Sequence, residues 1–184
     1  MVSAFRRIKP HFPLKRISVE LEILSTAAQI AVALAGFAGV VVVFRRESVH
    51  EWSPIDKFRL RLLLSNSVFP LAYSLFAMLL LAMKPPPESI WRWCSGFAAI
   101  CQIPFAITSI KRTRSLPAAD FKDVSKIVFY PLFALASAVL LLQFYNLAVL
   151  NWFWPFFAAI FVHLMGAMVQ FVRLVLVLPA NGKR

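Results

Sequence analysis

The chain has 184 residues, of which 60% are apolar and only 15% charged, and its mean hydropathy is +0.75. Soluble domains are nearer half apolar and a quarter charged, so this composition excludes a water-soluble surface and indicates an integral membrane protein. The net charge of +12 comes from 20 Lys and Arg residues that lie between the apolar runs, as loops between membrane spans do, which argues against a nucleic-acid partner.

Runs without charged side chains predict the membrane-spanning helices in chain order. Residues 23–44, 62–83 and 93–110 each match the roughly 20 residues that cross a bilayer core as a helix. The fourth run, residues 127–172, would form a helix of about 69 Å, more than twice the roughly 30 Å core, and must therefore turn back. None of the runs alternates apolar and polar residues as barrel strands do, so we predict an all-α fold.

The turn within the fourth run is predicted between Asn146 and Asn151, because asparagine favours turns and Pro155 suits the first turn of a new helix. Helices 4 and 5 would then form a tight hairpin. We therefore predict a bundle of about five transmembrane helices within residues 21–178, with spans at about 21–44, 62–83, 90–110, 126–146 and 152–178.

The two ends of the chain are predicted to lie outside the bundle. Residues 1–20 form a basic N-terminal tail, for which disorder is one expectation, and residues 179–184 form a short C-terminal tail. A cleavable signal peptide is disfavoured, because Glu20 and Glu22 interrupt the basic region and the apolar run continues to Phe44.

Helix 2 is predicted to begin at Pro54, before its apolar run. Ser53 is a capping residue type, proline suits the first helical position, and Asp56 places a carboxylate near the positive helix end. The helix would then project from the bilayer, and the cations on its projecting face would suit anionic lipid headgroups. These cations are Lys57, Arg59 and Arg61.

The distribution of basic residues predicts the orientation. The two long loops and the C-terminus share one side and hold 13 Lys and Arg residues, whereas the other side holds seven, five of them in the N-terminal tail. The positive-inside rule therefore predicts a cytoplasmic C-terminus and an N-terminus outside. The basic tail opposes this assignment, and one hypothesis is that the natural protein begins near Val19, which would change the ratio to 13 against two.

Helix 1 carries a small residue at every fourth position, which makes a smooth stripe for close approach by another helix. The stripe consists of Ala27, Ala31, Ala35 and Gly39. The sequence favours a partner helix within the same chain, because a five-helix bundle already supplies neighbours. A protein partner or a second copy of this chain is the alternative.

Helix 5 carries a polar face, because His163, Gly166, Gln170 and Arg173 recur at helical spacing. His163 would lie about 16 Å deep, near the bilayer midplane, where an ionisable group suggests a function. The alternative is a neutral histidine bonded to a neighbouring amide of Gln102, Gln143 or Asn66, with the arginine extended to the headgroups or paired with Asp56. The candidate intramembrane polar site comprises His163, Gln170, Arg173, Gln102 and Gln143.

Signatures of enzymes and metal sites do not occur in the sequence. There is no glycine-rich phosphate loop, metal-ligand spacing or nucleophile elbow, so we predict neither catalysis nor a cofactor nor a bound metal. Cys94 and Cys101 are seven residues apart, which is about 10 Å along a helix and too far for a disulfide.

The chain resembles a family of uncharacterised small bacterial multi-pass membrane proteins. The resemblance rests on residues 28–39 (AQIAVALAGFAG), on residues 42–45 (VVFR) and on residues 170–175 (QFVRLV). It covers most of the chain from about residue 20 onward. The resemblance implies a location in the bacterial inner membrane and implies no activity.

Together these features favour a non-enzymatic accessory or structural membrane subunit. One alternative is a small transporter or channel that uses the His163/Gln170/Arg173 face, with Pro70 and Pro104 as breaks in helices 2 and 3. Another is a membrane sensor or signalling subunit that acts through its basic loops. The expected partners are the lipid bilayer, anionic headgroups at the basic loops, and a protein or second copy at helix 1.

Overall fold

The computed structural model describes residues 12–44, 48–115 and 126–176, and all regular structure in these ranges is helical. Five helices are long and apolar enough to cross a membrane, which confirms the predicted architecture of five apolar helices. Their bounds are α1 (Phe12–Phe44), α2 (Pro54–Ala82), α3 (Ile90–Arg114), α4 (Lys126–Tyr145) and α5 (Phe153–Leu176), with a π-helical turn (Asn146–Leu150) after α4.

Helices α2 and α5 form the centre of the bundle. Helix α2 packs against α1, α3 and α5, while α5 also contacts α1, α3 and α4. Tyr73 of α2 and Phe156 of α5 are fully buried, as are the small side chains of Ala159 and Ala167 on α5. Small residues at such contacts let helix backbones approach closely, which is how helices associate in lipid without a hydrophobic gain.

Helix α1 begins at Phe12, so the prediction of a separate tail over residues 1–20 is corrected for its second half. Residues 1–11 lie outside the described part of the chain. Glu20 is buried, and its side chain pairs with Arg16 one turn earlier at 3.1 Å. The two charges therefore neutralise each other along the helix, and the apolar contacts of α1 continue back to Ile17.

The small-residue stripe of α1 matches the contact face only in part. Ala27 and Ala31 are buried, but Ala35 is half-buried and Gly39 is exposed, with nothing within 4 Å of a Cβ built on it. Positions four apart turn about 40° further round a helix at every step, so such a stripe leaves a straight contact line. The observed line alternates steps of three and four and contains Glu20, Leu24, Ala27, Ala31, Leu34 and Ala38.

Helix α2 begins at Pro54 as predicted. The side-chain oxygen of Ser53 accepts a hydrogen bond from the backbone N–H of Asp56 at 3.2 Å, which caps the helix. Helix α3 continues past the predicted end at residue 110 to Arg114. Its last turn is basic, and cations there interact favourably with the negative end of the helix dipole.

Two asparagines organise the connection between α4 and α5. Asn151 adopts the left-handed conformation with φ 55° and ψ 46°, which asparagine tolerates better than most residues. Its N–H donates to the backbone carbonyl of Asn146 at 3.1 Å. Its side chain accepts from the N–H of Arg92 and donates to the carbonyl of Glu88, both at 3.1 Å. The connection is thereby attached to the start of α3.

Candidate functional site

A cavity of about 340 Å³ lies between helices α2, α3, α4 and α5, and we call it the α2–α5 cavity. Its walls are mostly apolar, but five amide, imidazole and guanidinium side chains also line it: Asn66, Gln102, His163, Gln170 and Arg173. Four of the five predicted polar residues thus meet around one space. The volume of the cavity lies at the lower end of the range for small-molecule sites, which is roughly 300–1,000 Å³.

His163 is anchored on one side only. Its Nδ1 lies 2.8 Å from the side-chain oxygen of Asn66, and the ring packs among Phe69, Tyr73 and Phe105 at centroid distances of 5.2, 5.8 and 6.3 Å. In the tautomer with its proton on Nδ1, the ring donates to Asn66 and leaves Nε2 as an acceptor. That Nε2 is buried and has no hydrogen-bond partner among the residues that the structure describes.

Two glutamines of the cavity wall also have a buried polar atom without a hydrogen-bond partner. Gln102 is buried and donates from Nε2 to the backbone carbonyl of Ala136 at 3.0 Å, which links α3 to α4. Its Oε1 and the Oε1 of the buried Gln170 lack partners within the described ranges. A buried polar atom without a partner costs about 1–3 kcal/mol, and Oγ of Ser74 and Oε1 of Gln143, which do not line the cavity, also lack partners within the described ranges.

Gln143, the fifth predicted site residue, does not line the cavity. It is fully buried, and its Nε2 donates to the carbonyl of Pro155 at 2.7 Å in the first turn of α5. The contact holds the end of α4 against the start of α5. The position of Gln143 near the connection therefore indicates a structural role.

Arg173 lies at the end of the cavity away from His163. The sequence offers Asp56 as its partner, but Asp56 accepts a hydrogen bond from Nη1 of Arg59 at 3.2 Å instead. No carboxylate in the described ranges forms an ion pair with Arg173. Arg59 is itself buried and is close enough to act electrostatically on Arg173. Among the residues that the structure describes, the side chains at this end of the cavity therefore carry a net positive charge.

Gly166 was grouped with the polar face by its spacing, and it lies directly beside Asn66. A Cβ built on Gly166 would lie 3.4 Å from Cγ and Nδ2 of Asn66, which is ordinary van der Waals contact, so only a side chain larger than alanine would press on the residue that holds His163. Asn66 appears in the sequence as one of three candidate partners for the histidine. Only the packing of α2 against α5 shows which amide is used, because the three amides lie on three different helices.

Gly166→Val is expected to lower the free energy of unfolding by about 1–3 kcal/mol, because its methyl groups displace Asn66. Gly39→Val is the matched control, since Gly39 has open space around it and the change should be nearly neutral. Unfolding by SDS titration in bicelles measures both variants. Equal stability of the two would show that Asn66 does not occupy the space beside Gly166.

Comparison with protein-family models, with curated proteins and with solved structures finds no match to this chain. The candidate site is therefore interpreted from its own geometry. Cys94 and Cys101 are free thiols, as predicted. In the described part of the chain, no three His, Cys, Asp or Glu residues are grouped so that they could hold a metal ion.

Proposed function

We propose that this chain is a small multi-pass membrane transporter that binds its solute in the α2–α5 cavity. The observation that carries the proposal is the convergence of four polar side chains on one cavity between the helices, namely Gln102, His163, Gln170 and Arg173. A packed and wholly apolar bundle interior would have favoured a structural subunit instead.

The positions of the prolines support movement of the cavity walls. Helices α2, α3 and α4 each contain an internal proline, namely Pro70, Pro104 and Pro131. Each removes one backbone hydrogen bond and weakens the helix at that point. Three of the four helices that surround the cavity can therefore bend there, as alternating access to a buried site requires.

The test is a thermal-stability screen of the detergent-solubilised protein with small aromatic solutes that are neutral, anionic or cationic. A solute that binds only the folded state raises the melting temperature, and the shift grows with the ratio of its free concentration to its dissociation constant. At least one solute should stabilise the wild type, and Ala136→Phe, which fills the cavity from its α4 wall, should abolish the shift.

Ala138→Phe is the matched control for this screen, because Ala138 lies two residues later on α4 and its side chain is exposed. It should retain the full ligand-induced shift. If no solute stabilises the wild type, or if both phenylalanine variants respond like the wild type, the cavity is not the binding site and the proposal is wrong.

A second candidate function, an accessory subunit that packs against a partner, is supported by the outer face of α1. Gly36 and Gly39 have nothing within 4 Å of their Cβ positions, and the exposed Gln29 presents an amide on the same helix. Small residues with a polar side chain are typical of helix–helix contacts in membranes. Gly36→Phe should then release a partner that copurifies with the wild type in mild detergent; unchanged copurification would contradict this candidate.

The cellular location follows from the resemblance and the charge distribution. We propose the bacterial inner membrane, a cytoplasmic C-terminus, an N-terminus outside, α4 and α5 inserted as a tight hairpin, and basic loops that contact anionic headgroups. The positive-inside rule and the 13 basic residues on the C-terminal side support this arrangement. A C-terminal fusion to green fluorescent protein should fluoresce, and a C-terminal fusion to alkaline phosphatase should be inactive. The opposite pattern would show that the C-terminus lies outside.

A further inference from the structure

The charge at the Arg173 end of the cavity is not balanced within the described ranges. Arg173 lines the cavity, lies partly buried, and has no ion pair with a described carboxylate. The neighbouring Arg59 is bonded to Asp56 through Nη1, and its buried Nε has no hydrogen-bond partner there. Two guanidinium groups and one interacting carboxylate leave an excess of one positive charge at this end.

The walls beyond this end are mostly apolar. They include Phe58, Leu62, Phe105, Leu132, Leu140 and Val162. A multivalent or fully hydrated inorganic ion would find few groups to replace its water along such walls. An apolar body that carries one anionic group would fill the space and neutralise Arg173.

The far end of the cavity is polar again. His163 is ten residues from Arg173 on α5, which corresponds to about 15 Å along the helix. There the side chains of Gln102 and His163 line the cavity. A ligand whose anionic group binds Arg173 could therefore extend along the apolar walls toward this polar end.

We propose that the solute of the α2–α5 cavity is a small amphipathic organic anion, whose single carboxylate or similar group binds Arg173 and whose apolar body lies against the apolar walls. This inference rests on the proposed function and names its substrate class. Such an anion could come from water as a compact aromatic acid or from the bilayer as a free fatty acid, so the test contains a probe for each.

Binding is measured by equilibrium dialysis with the protein in nanodiscs of neutral phosphatidylcholine, and protein-free nanodiscs are subtracted. The probes are 2-naphthoate, its neutral isostere naphthalene-2-carboxamide, and decanoate as the bilayer-derived anion. Wild-type protein should bind 2-naphthoate or decanoate at least about tenfold more tightly than the carboxamide, because a charge-assisted hydrogen bond distinguishes them. Tighter binding of 2-naphthoate would indicate that the solute comes from water, and tighter binding of decanoate would indicate that it comes from the bilayer.

Arg173→Gln should remove this preference, and Arg173→Lys should retain most of it. Arg112→Gln is the matched control, because it removes the same charge from an exposed position on α3 and should leave the preference unchanged. Melting temperatures confirm that each variant folds.

Equal binding of the carboxamide, or an unchanged preference in Arg173→Gln, would overturn the ligand class. If the carboxamide binds as tightly as the anions and Ala136→Phe abolishes its binding, the proposed transport function stands and the anionic substrate class is wrong. If no probe and no solute of the stability screen binds in a cavity-dependent way, both proposals fail.

Discussion

Asn146→Leu is expected to lower the free energy of unfolding by about 2–4 kcal/mol, since Asn146 is the most densely bonded side chain of the bundle interior. It is fully buried. Its Nδ2 donates to Oγ of Ser95 at 2.7 Å and to the carbonyl of Trp152 at 3.0 Å, and its Oδ1 accepts from the N–H of Trp152 at 2.9 Å. Leucine has a similar volume but leaves the Ser95 hydroxyl and the Trp152 backbone without these bonds.

Single hydrogen bonds between helices in membranes contribute about 0.6 kcal/mol on average and up to about 1.7 kcal/mol, so three bonds of one side chain account for the expected loss. The loss is measured by SDS titration of the protein in bicelles. Gln29→Leu is the control, because this exposed amide makes only a long 3.4 Å contact to Ser25 and faces outward on α1. A loss below about 1 kcal/mol for Asn146→Leu would contradict the assigned role of the connection.

Tyr73→Ala is expected to lower the free energy of unfolding by about 3–5 kcal/mol, because the ring lies at the centre of the aromatic cluster. Tyr73 is fully buried and packs against Phe69, Phe97 and Phe156 at centroid distances of 5.9, 6.0 and 6.4 Å. In lipid these contacts act through close packing rather than through release of water, so truncation leaves a cavity that neighbouring side chains cannot fill.

Tyr73→Phe separates the ring from its hydroxyl. The hydroxyl donates to the carbonyl of Ala98 at 3.3 Å, a long bond, so this variant should lose only about 0.5–1.5 kcal/mol. Thermal melting and SDS titration should rank the proteins in the order wild type, Tyr73→Phe, Tyr73→Ala. If the two variants are equally unstable, the hydroxyl rather than the packing of the ring carries the stability.

The helices themselves were predictable because each depends on local sequence. Uncharged runs of sufficient length predict five helices, and the Ser53, Pro54 and Asp56 sequence predicts where α2 begins. The start of α1 was not predictable in this way. The basic residues indicate a solvated tail, whereas in the fold Arg16 forms an ion pair with Glu20 one helical turn later.

The candidate site was predictable only as a set of residues on helix faces. The spacing on α5 puts His163, Gln170 and Arg173 on one side of the helix, and all three line the α2–α5 cavity. The choice between Gln102 and Gln143 depends on how helices rotate against each other, which short-range sequence patterns do not encode. Gln102 lines the cavity, whereas Gln143 donates a hydrogen bond to the carbonyl of Pro155 at the start of α5.

The central claim, that the α2–α5 cavity admits solutes from water, is tested most directly by thiol labelling in native membranes. In a background with Cys94→Ala and Cys101→Ala, a cysteine replaces either Ala106, which lines the cavity, or Ile100, which is 71% exposed on the outer surface of α3. Thiols react as thiolates, which form in water and not in lipid.

The account predicts that N-ethylmaleimide labels the Ala106→Cys protein at least about ten times faster than the Ile100→Cys protein. Filling the cavity with Ala136→Phe should abolish the difference. Equal and slow labelling at both positions would mean that the cavity is closed to aqueous solutes, and it would contradict a transport site at His163, Gln170 and Arg173.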